Sequence, residues 1–180
     1  MRRLTCLAVA ALAACAAPSK LPEATSRVER SEDFEKIRPV SIVVMPVQAE
    51  KYHVKHTVRK GLYDGLFEKK YSPISLRKID SNLDGAGEFT ASDVDWDAQL
   101  VVRVSKWRVV GNGTRIAADG SARLLHRETG EVLWQLAFQD QLLVADTAGA
   151  NHRDETAAGE LAIYILQREG FPERPALPAN

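Results

Sequence analysis

The spacing of apolar residues changes repeatedly along this chain, and each change marks an element. Arg38 to Val47, RPVSIVVMPV, is β-branched and almost continuously apolar. A run without alternation predicts a strand covered on both faces. Pro39 and Pro46 bound it, since proline lacks the donor that a sheet ladder needs. From Tyr52 to Lys70 the apolar residues recur four apart, at Val54, Val58, Leu62 and Leu66. That is the stripe of an amphipathic helix packed on a sheet. Gly61 and Gly65 lie beside the stripe and each costs about 1 kcal/mol of helix propensity relative to Ala. Close approach of the helix to the strands is the expected return. SPISLRKID, Ser72 to Asp80, reads as the next strand and completes a β-α-β opening.

Residues 81 to 98 are polar, acidic and glycine-bearing, which predicts a loop. Three strands follow. In Gln99 to Val110, Leu100, Val102 and Val104 alternate with Arg103 and Ser105. Gly111-Asn112-Gly113 is a strong turn signal. Thr114 to Arg127 is the second strand, with a break expected at Asp119-Gly120. After the Thr129-Gly130 turn, Val132, Trp134, Leu136 and Phe138 share one face of the third. This is an antiparallel meander with one buried face. Arg153 to Glu169 carries a last helical stripe, Ala157, Ala158, Leu161, Ala162, Ile165 and Leu166, with Gly170 just past its end. The fold class predicted is α+β: a strand-helix-strand opening, a three-stranded antiparallel meander and a C-terminal helix, forming one mixed sheet with packed helices.

The two ends do not fit a packed domain. Arg2 and Arg3 precede a short apolar run that small residues close, the layout of a secretory signal. The run is too short to span hydrocarbon, which takes about 20 apolar residues. Leu12, Ala13, Ala14 and Cys15 resemble the lipobox of bacterial lipoproteins. The resemblance implies a diacylglycerol thioether on Cys15, cleavage before it and acylation of the new amino terminus. More than one acyl chain is needed for stable anchoring. Ala16 after the cysteine implies sorting to the outer membrane. Cys6 leaves with the signal, so no thiol remains for a disulfide or a nucleophile. The expected boundaries are a signal peptide over 1–14, a lipidated N-terminus and flexible tether over 15–36, one α+β domain over 37–171 and a disordered tail over 172–180.

Charge excludes one class of partner. The chain has 24 Lys+Arg and 24 Asp+Glu, and loss of Arg2 and Arg3 leaves 22 against 24, a net of −2. Such a balance offers no basic field for nucleic acid. The motifs add no chemistry. Asp93, Asp95 and Asp97 begin like a calcium loop, but Ala98 and Val104 stand where an EF-hand needs Gly and Glu. His53 and His56 lack a third ligand in sequence, and no nucleophile elbow or phosphate loop occurs. No catalytic residue, metal or cofactor is expected. By the period of two, Trp107 shares a face with Arg103 and Ser105, which would suit a partner surface. The expected interaction surfaces are Trp107 with Arg103, and the loop carrying Asp93, Asp95 and Asp97.

Phe34 to Val47, FEKIRPVSIVVMPV, resembles the opening of a family of bacterial lipoproteins of unknown function, whose members run aromatic, a few residues, then R/K-P-x-S-I-x-V-x-P. Asp95 to Val110 and Leu124 to Gln135, with its T-G-x-x-L-W, resemble that family's later strand and hairpin. Its wider relatives are the curli-secretion-channel lipoproteins and the TolB amino-terminal domain. The resemblance implies an outer-membrane-anchored periplasmic protein, a non-catalytic accessory in envelope assembly or export, with a channel-type or other envelope lipoprotein as partner and scope for self-association. The channel relatives carry long hairpins that cross the membrane. Here the meander's polar faces carry Arg103, Arg123, Arg127 and Gln139, and no pore is expected. A small-ligand or peptidoglycan-binding module is the second reading. A hydrolase is the third; it requires His53, His56 or His152 to meet carboxylates in one cleft.

Overall fold

The computed structural model describes residues 21–145, 149–168 and 171–174. Cys6, the lipobox Leu12 to Ala14, Cys15 and Gly170 lie outside the described residues. Six strands form one sheet in the order β1-β6-β5-β4-β2-β3. They are β1 (Thr25–Arg30), β2 (Ser41–Val44), β3 (Ser72–Pro73), β4 (Ala98–Val110), β5 (Arg115–His126) and β6 (Val132–Val144). β2 runs parallel to both β3 and β4, and the other pairs are antiparallel. The helices are α1 (Asp33–Ile37), α2 (Tyr52–Glu68), α3 (Leu76–Asp80) and α4 (Ala150–Ile163), the last continuing in π-helical turns over Tyr164–Arg168. The α+β class expected from periodicity is the observed one. Among the described residues no helix is long and apolar enough to cross a membrane.

β2 is covered on both faces, as its unbroken apolar run requires. Ile42 and Val44 join the main core, while Val43 and Met45 join a second, smaller one. The main core lies between the sheet and the α2–α4 pair. α2 buries Val54, Val58, Leu62 and Leu66, and α4 buries Ala157, Ala158, Leu161 and Ala162. The α2 glycines serve the α4 contact rather than the strands. A Cβ on Gly61 would stand 2.7 Å from the Ala162 Cβ, and one on Gly65 would stand 2.5 Å from Leu166 Cδ1.

Three further expectations about element boundaries need correction. The segment expected as a tether to residue 36 carries β1, paired with β6 from Thr25↔Gln139 to Arg30↔Trp134, and α1, which buries Phe34. β1 is exposed along its whole length. An edge strand can be held by backbone bonds alone, so its sequence shows no apolar period. The strand expected over Ser72 to Asp80 stops at Pro73. The Ser75 side chain then accepts from the Lys78 N–H at 3.3 Å and starts α3. The tail, expected to be free from Pro172, is docked at its start. The Tyr71 hydroxyl donates to the Pro172 carbonyl at 3.1 Å, and the Arg174 N–H reaches the Lys69 carbonyl.

The long strands carry a set of irregularities that line up across the sheet, apart from a further shift between Leu124 and Leu125 of β5. Register shifts fall between Val104 and Lys106 on β4 and between Ala118 and Gly120 on β5, as the break expected there implies. Asp140 on β6 has a left-handed backbone, φ 50°. Asp119 ties the line together. It accepts from the Asp140 N–H at 2.8 Å and pairs with the Lys106 ammonium at 2.8 Å. Burial pushes the Asp119 carboxyl up, but the bonds from Lys106 and Asp140 outweigh it and hold the pKa below the usual value.

Candidate functional site

One residue inserted into a strand moves every later side chain to the other face. The bulge at Ser105 does this to β4. Arg103 stays exposed on the face away from α2 and α4, in the row Arg103–Ser121–Ala137–Arg27 across four strands. Trp107, expected beside it, turns to the helix side and packs against the main core. Its Nε1 donates to Asp154 Oδ1 of α4 at 2.9 Å, and Lys51 Nζ holds Oδ2 of the same carboxylate at 2.8 Å. Trp107 is therefore a pin between sheet and helix. It is withdrawn from the expected interaction surface.

Asp154 is the buried acid of this pin. Burial alone would raise its pKa. The bonds from Lys51 and Trp107 outweigh that and hold it below the usual carboxylate value. A carboxyl depressed in the folded state stabilises the fold above its unfolded pKa of about 3.9, and that contribution is lost as pH falls through the folded value. Asp154→Asn should therefore cost roughly 1.5 kcal/mol at neutral pH, and its deficit in melting temperature should shrink in acid below about pH 4. Melting curves against pH for both proteins measure this; a deficit that stays constant into acid refutes the assignment.

The acidic loop divides into different roles. Asp97 accepts from the Val40 and Ser41 N–H groups at 2.7 and 2.8 Å and so fixes the start of β2. Asp93 pairs with Lys78 at 2.6 Å, and that bond lowers its pKa. Asp95 is fully exposed and receives Arg127 Nη1 at 3.3 Å. The loop is also less polar than its composition suggests. Phe89 and Ala91 are buried with Val43, Met45 and Ile79 in the second core, against which Trp96 packs.

This packing leaves a cleft of about 800 Å³ next to the loop, beyond the carboxyl end of β2. Ligands commonly bind at that end of a parallel strand. One wall is apolar, from Met45, Phe89, Trp96 and Val101; the polar lining is Gln48, Gln99, Lys55, Glu88 and Arg127. The Arg127 guanidinium stands 5.1 Å from the centre of the Trp96 ring and donates to the Trp96 carbonyl at 3.3 Å. Phe89 meets Trp96 edge-on with centroids 5.9 Å apart. The arrangement offers aromatic surface, two amides, two cations and one carboxylate. These groups hold a ligand or a partner side chain by shape and hydrogen bonding. Among the described lining residues there is no His, Cys or Ser.

The histidines gather elsewhere. His53 and His152 approach the Glu155 carboxylate at 3.9 and 3.8 Å on exposed helix surface. His56 stacks on Tyr52 with centroids 6.4 Å apart. The sequence missed the cleft because its lining comes from segments far apart in the chain, none with a motif of its own. The only local hint was Trp96 inside the acidic run.

No protein-family model matches the chain, and no curated protein matches it. Several solved structures resemble it. A PelC dodecamer from Paraburkholderia phytofirmans aligns with TM-score 0.49 and 14% identity, over 81% of this chain and 98% of that one. Lipoprotein GNA1162 from Neisseria meningitidis aligns with TM-score 0.48 and 18% identity, over 72% and 97%. The hypothetical protein CT253 from Chlamydia trachomatis aligns with TM-score 0.44 and 12% identity, over 72% and 92%. At these scores the likeness extends to no site and no partner.

Proposed function

We propose that this chain is a lipoprotein held at the outer membrane through Cys15, with its α+β domain in the periplasm acting as a non-catalytic binding module in an envelope assembly or export system. The lipobox and the family resemblance support the anchor. The cleft carries the binding role, because it joins an aromatic wall to amide and charged groups beside β2 and β4. The partner expected is a channel-type or other envelope lipoprotein, bound through the cleft.

The test is co-purification with a carboxyl-terminal tag after gentle membrane extraction. The wild type should bring a stoichiometric envelope lipoprotein. Cys15→Ala should leave the membrane fraction. Gln48→Arg, which fills the cleft from its polar lining, should lose the partner and keep the wild-type melting temperature. A partner retained by Gln48→Arg at full yield refutes the cleft as the contact. Clean isolation of a membrane-bound protein favours the second reading, a small-ligand or peptidoglycan-binding module. The aromatic and amide lining supports that reading too, and muropeptides should then raise the melting temperature.

A further inference from the structure

The end of the sheet at the β4–β5 turn has a different surface. β4 and β5 join through Gly111, Asn112 and Gly113, all with left-handed backbones at φ 57°, 55° and 88°. The row nearest this turn is Val110, Arg115 and Val144, one residue from each of β4, β5 and β6. Of the eight large apolar side chains that stand exposed among the described residues, Leu21, Val109 and Val144 lie at this end. Arg108 and Arg115 are exposed among them, Arg108 paired with Asp140. The tip is thus apolar with Arg115 beside it, a composition suited to a phospholipid surface bearing anionic headgroups.

The amino-terminal chain leads to the same place. A Cβ on Gly111 would stand 3.4 Å from Leu21 Cδ2, so Leu21 lies against the turn. Cys15 is six residues earlier. A fully extended chain of that length reaches at most about 22 Å. A lipid on Cys15 therefore keeps Leu21, which lies against the Gly111–Gly113 turn, within that distance of the bilayer. The cleft lies by Gln99 and Val101 and by Gln48, which bridges Arg103, along the first half of β4 and roughly 25–35 Å from the tip at 3.3 Å per residue.

We infer that the tip carrying Val109, Val110, Arg115 and Val144 rests on the phospholipid surface and that the domain stands on the membrane with its cleft held clear of it. The inference rests on the anchor at Cys15 proposed above. Apolar contact and anionic headgroups hold the tip, and the short tether sets its orientation. An interaction module gains from this, because the cleft stands clear of the bilayer in every copy.

The mature chain has no thiol besides the lipidated Cys15, so single labels are clean. A fluorophore is attached to Val144→Cys at the tip or to Glu128→Cys at the far end, both exposed positions. The lipidated protein is reconstituted into vesicles of phosphatidylethanolamine and phosphatidylglycerol, and mass spectrometry checks the lipid. The tip label should lose most of its quenching by iodide in water and gain quenching by brominated lipid, with the far label unchanged. Arg115→Glu should restore iodide quenching at the tip. Equal accessibility of both labels on a lipidated protein overturns the inference and leaves the anchor standing. Shielding without vesicles that grows with protein concentration assigns the tip to a second copy and also overturns it. An unlipidated Cys15 removes the anchor and the inference together.

Discussion

Gly120→Ala should cost at least about 3 kcal/mol, the upper end of what overpacking usually costs, and leave little folded protein. A Cβ there would stand 2.3 Å from the Arg103 carbonyl oxygen and 2.6 Å from Phe138 Cζ. The first contact is backbone, held in the β4–β5 ladder next to the bulge, and it has no rotamer to escape into. The double variant Gly120→Ala with Phe138→Ala should therefore not recover. Gly65→Ala is the contrast. Its new Cβ meets the far end of the Leu166 side chain, which can turn aside, and the helix gains up to about 1 kcal/mol in propensity. Urea unfolding of the three variants ranks these costs. A Gly120→Ala protein within about 1 kcal/mol of wild type, well inside the overpacking range, would show that the strands are not this close.

Phe171→Ala should cost about 3–5 kcal/mol, the usual range for a buried phenylalanine. Phe171 lies just past the last helix, yet it is 1% exposed. Its ring meets Trp134 of β6 at 5.0 Å and Tyr71 at 5.7 Å between centroids, both edge-on. The neighbouring bond from the Tyr71 hydroxyl to the Pro172 carbonyl closes the same corner. Burial pushes the Tyr71 hydroxyl well above its usual pKa, so it remains a donor across the neutral range. Truncation after residue 170, which also removes the Pro172 carbonyl, should cost at least as much as Phe171→Ala in thermal melting. Equal stability of wild type and the 170 truncation would contradict the docking of this segment.

The lipobox-like motif and the cleft differ in how they could be found. Leu12 to Cys15 is a contiguous pattern, readable without any fold, and it lies outside the described residues. The cleft is assembled from the segment after β2, α2, the loop after α3, β4 and the turn after β5. Each contributes one or a few residues of ordinary type. Asp97 shows the same limit at one residue. In sequence it is the third acid of an alternating run; in space it satisfies two N–H groups of a strand start 56 and 57 residues away.

The periodicity of the chain determined the elements whose side chains alternate or recur against a core: β2 covered on both faces, α2, the meander and α4. Burial imposes that periodicity directly, so it is legible wherever packing alone decides a position. Only the tertiary structure decided β1, Trp107 and the second core. β1 is held by backbone bonds to β6 and needs no apolar signal. Trp107 changes face because a bulge inserts one residue, and that bulge is fixed by Asp119, Gly120 and Asp140 on neighbouring strands. The loop over 81–97 is polar on average, and its Phe89 and Trp96 have no period. They find their place only because Val43 and Met45, from a strand far earlier in the chain, leave an apolar face for them to cover.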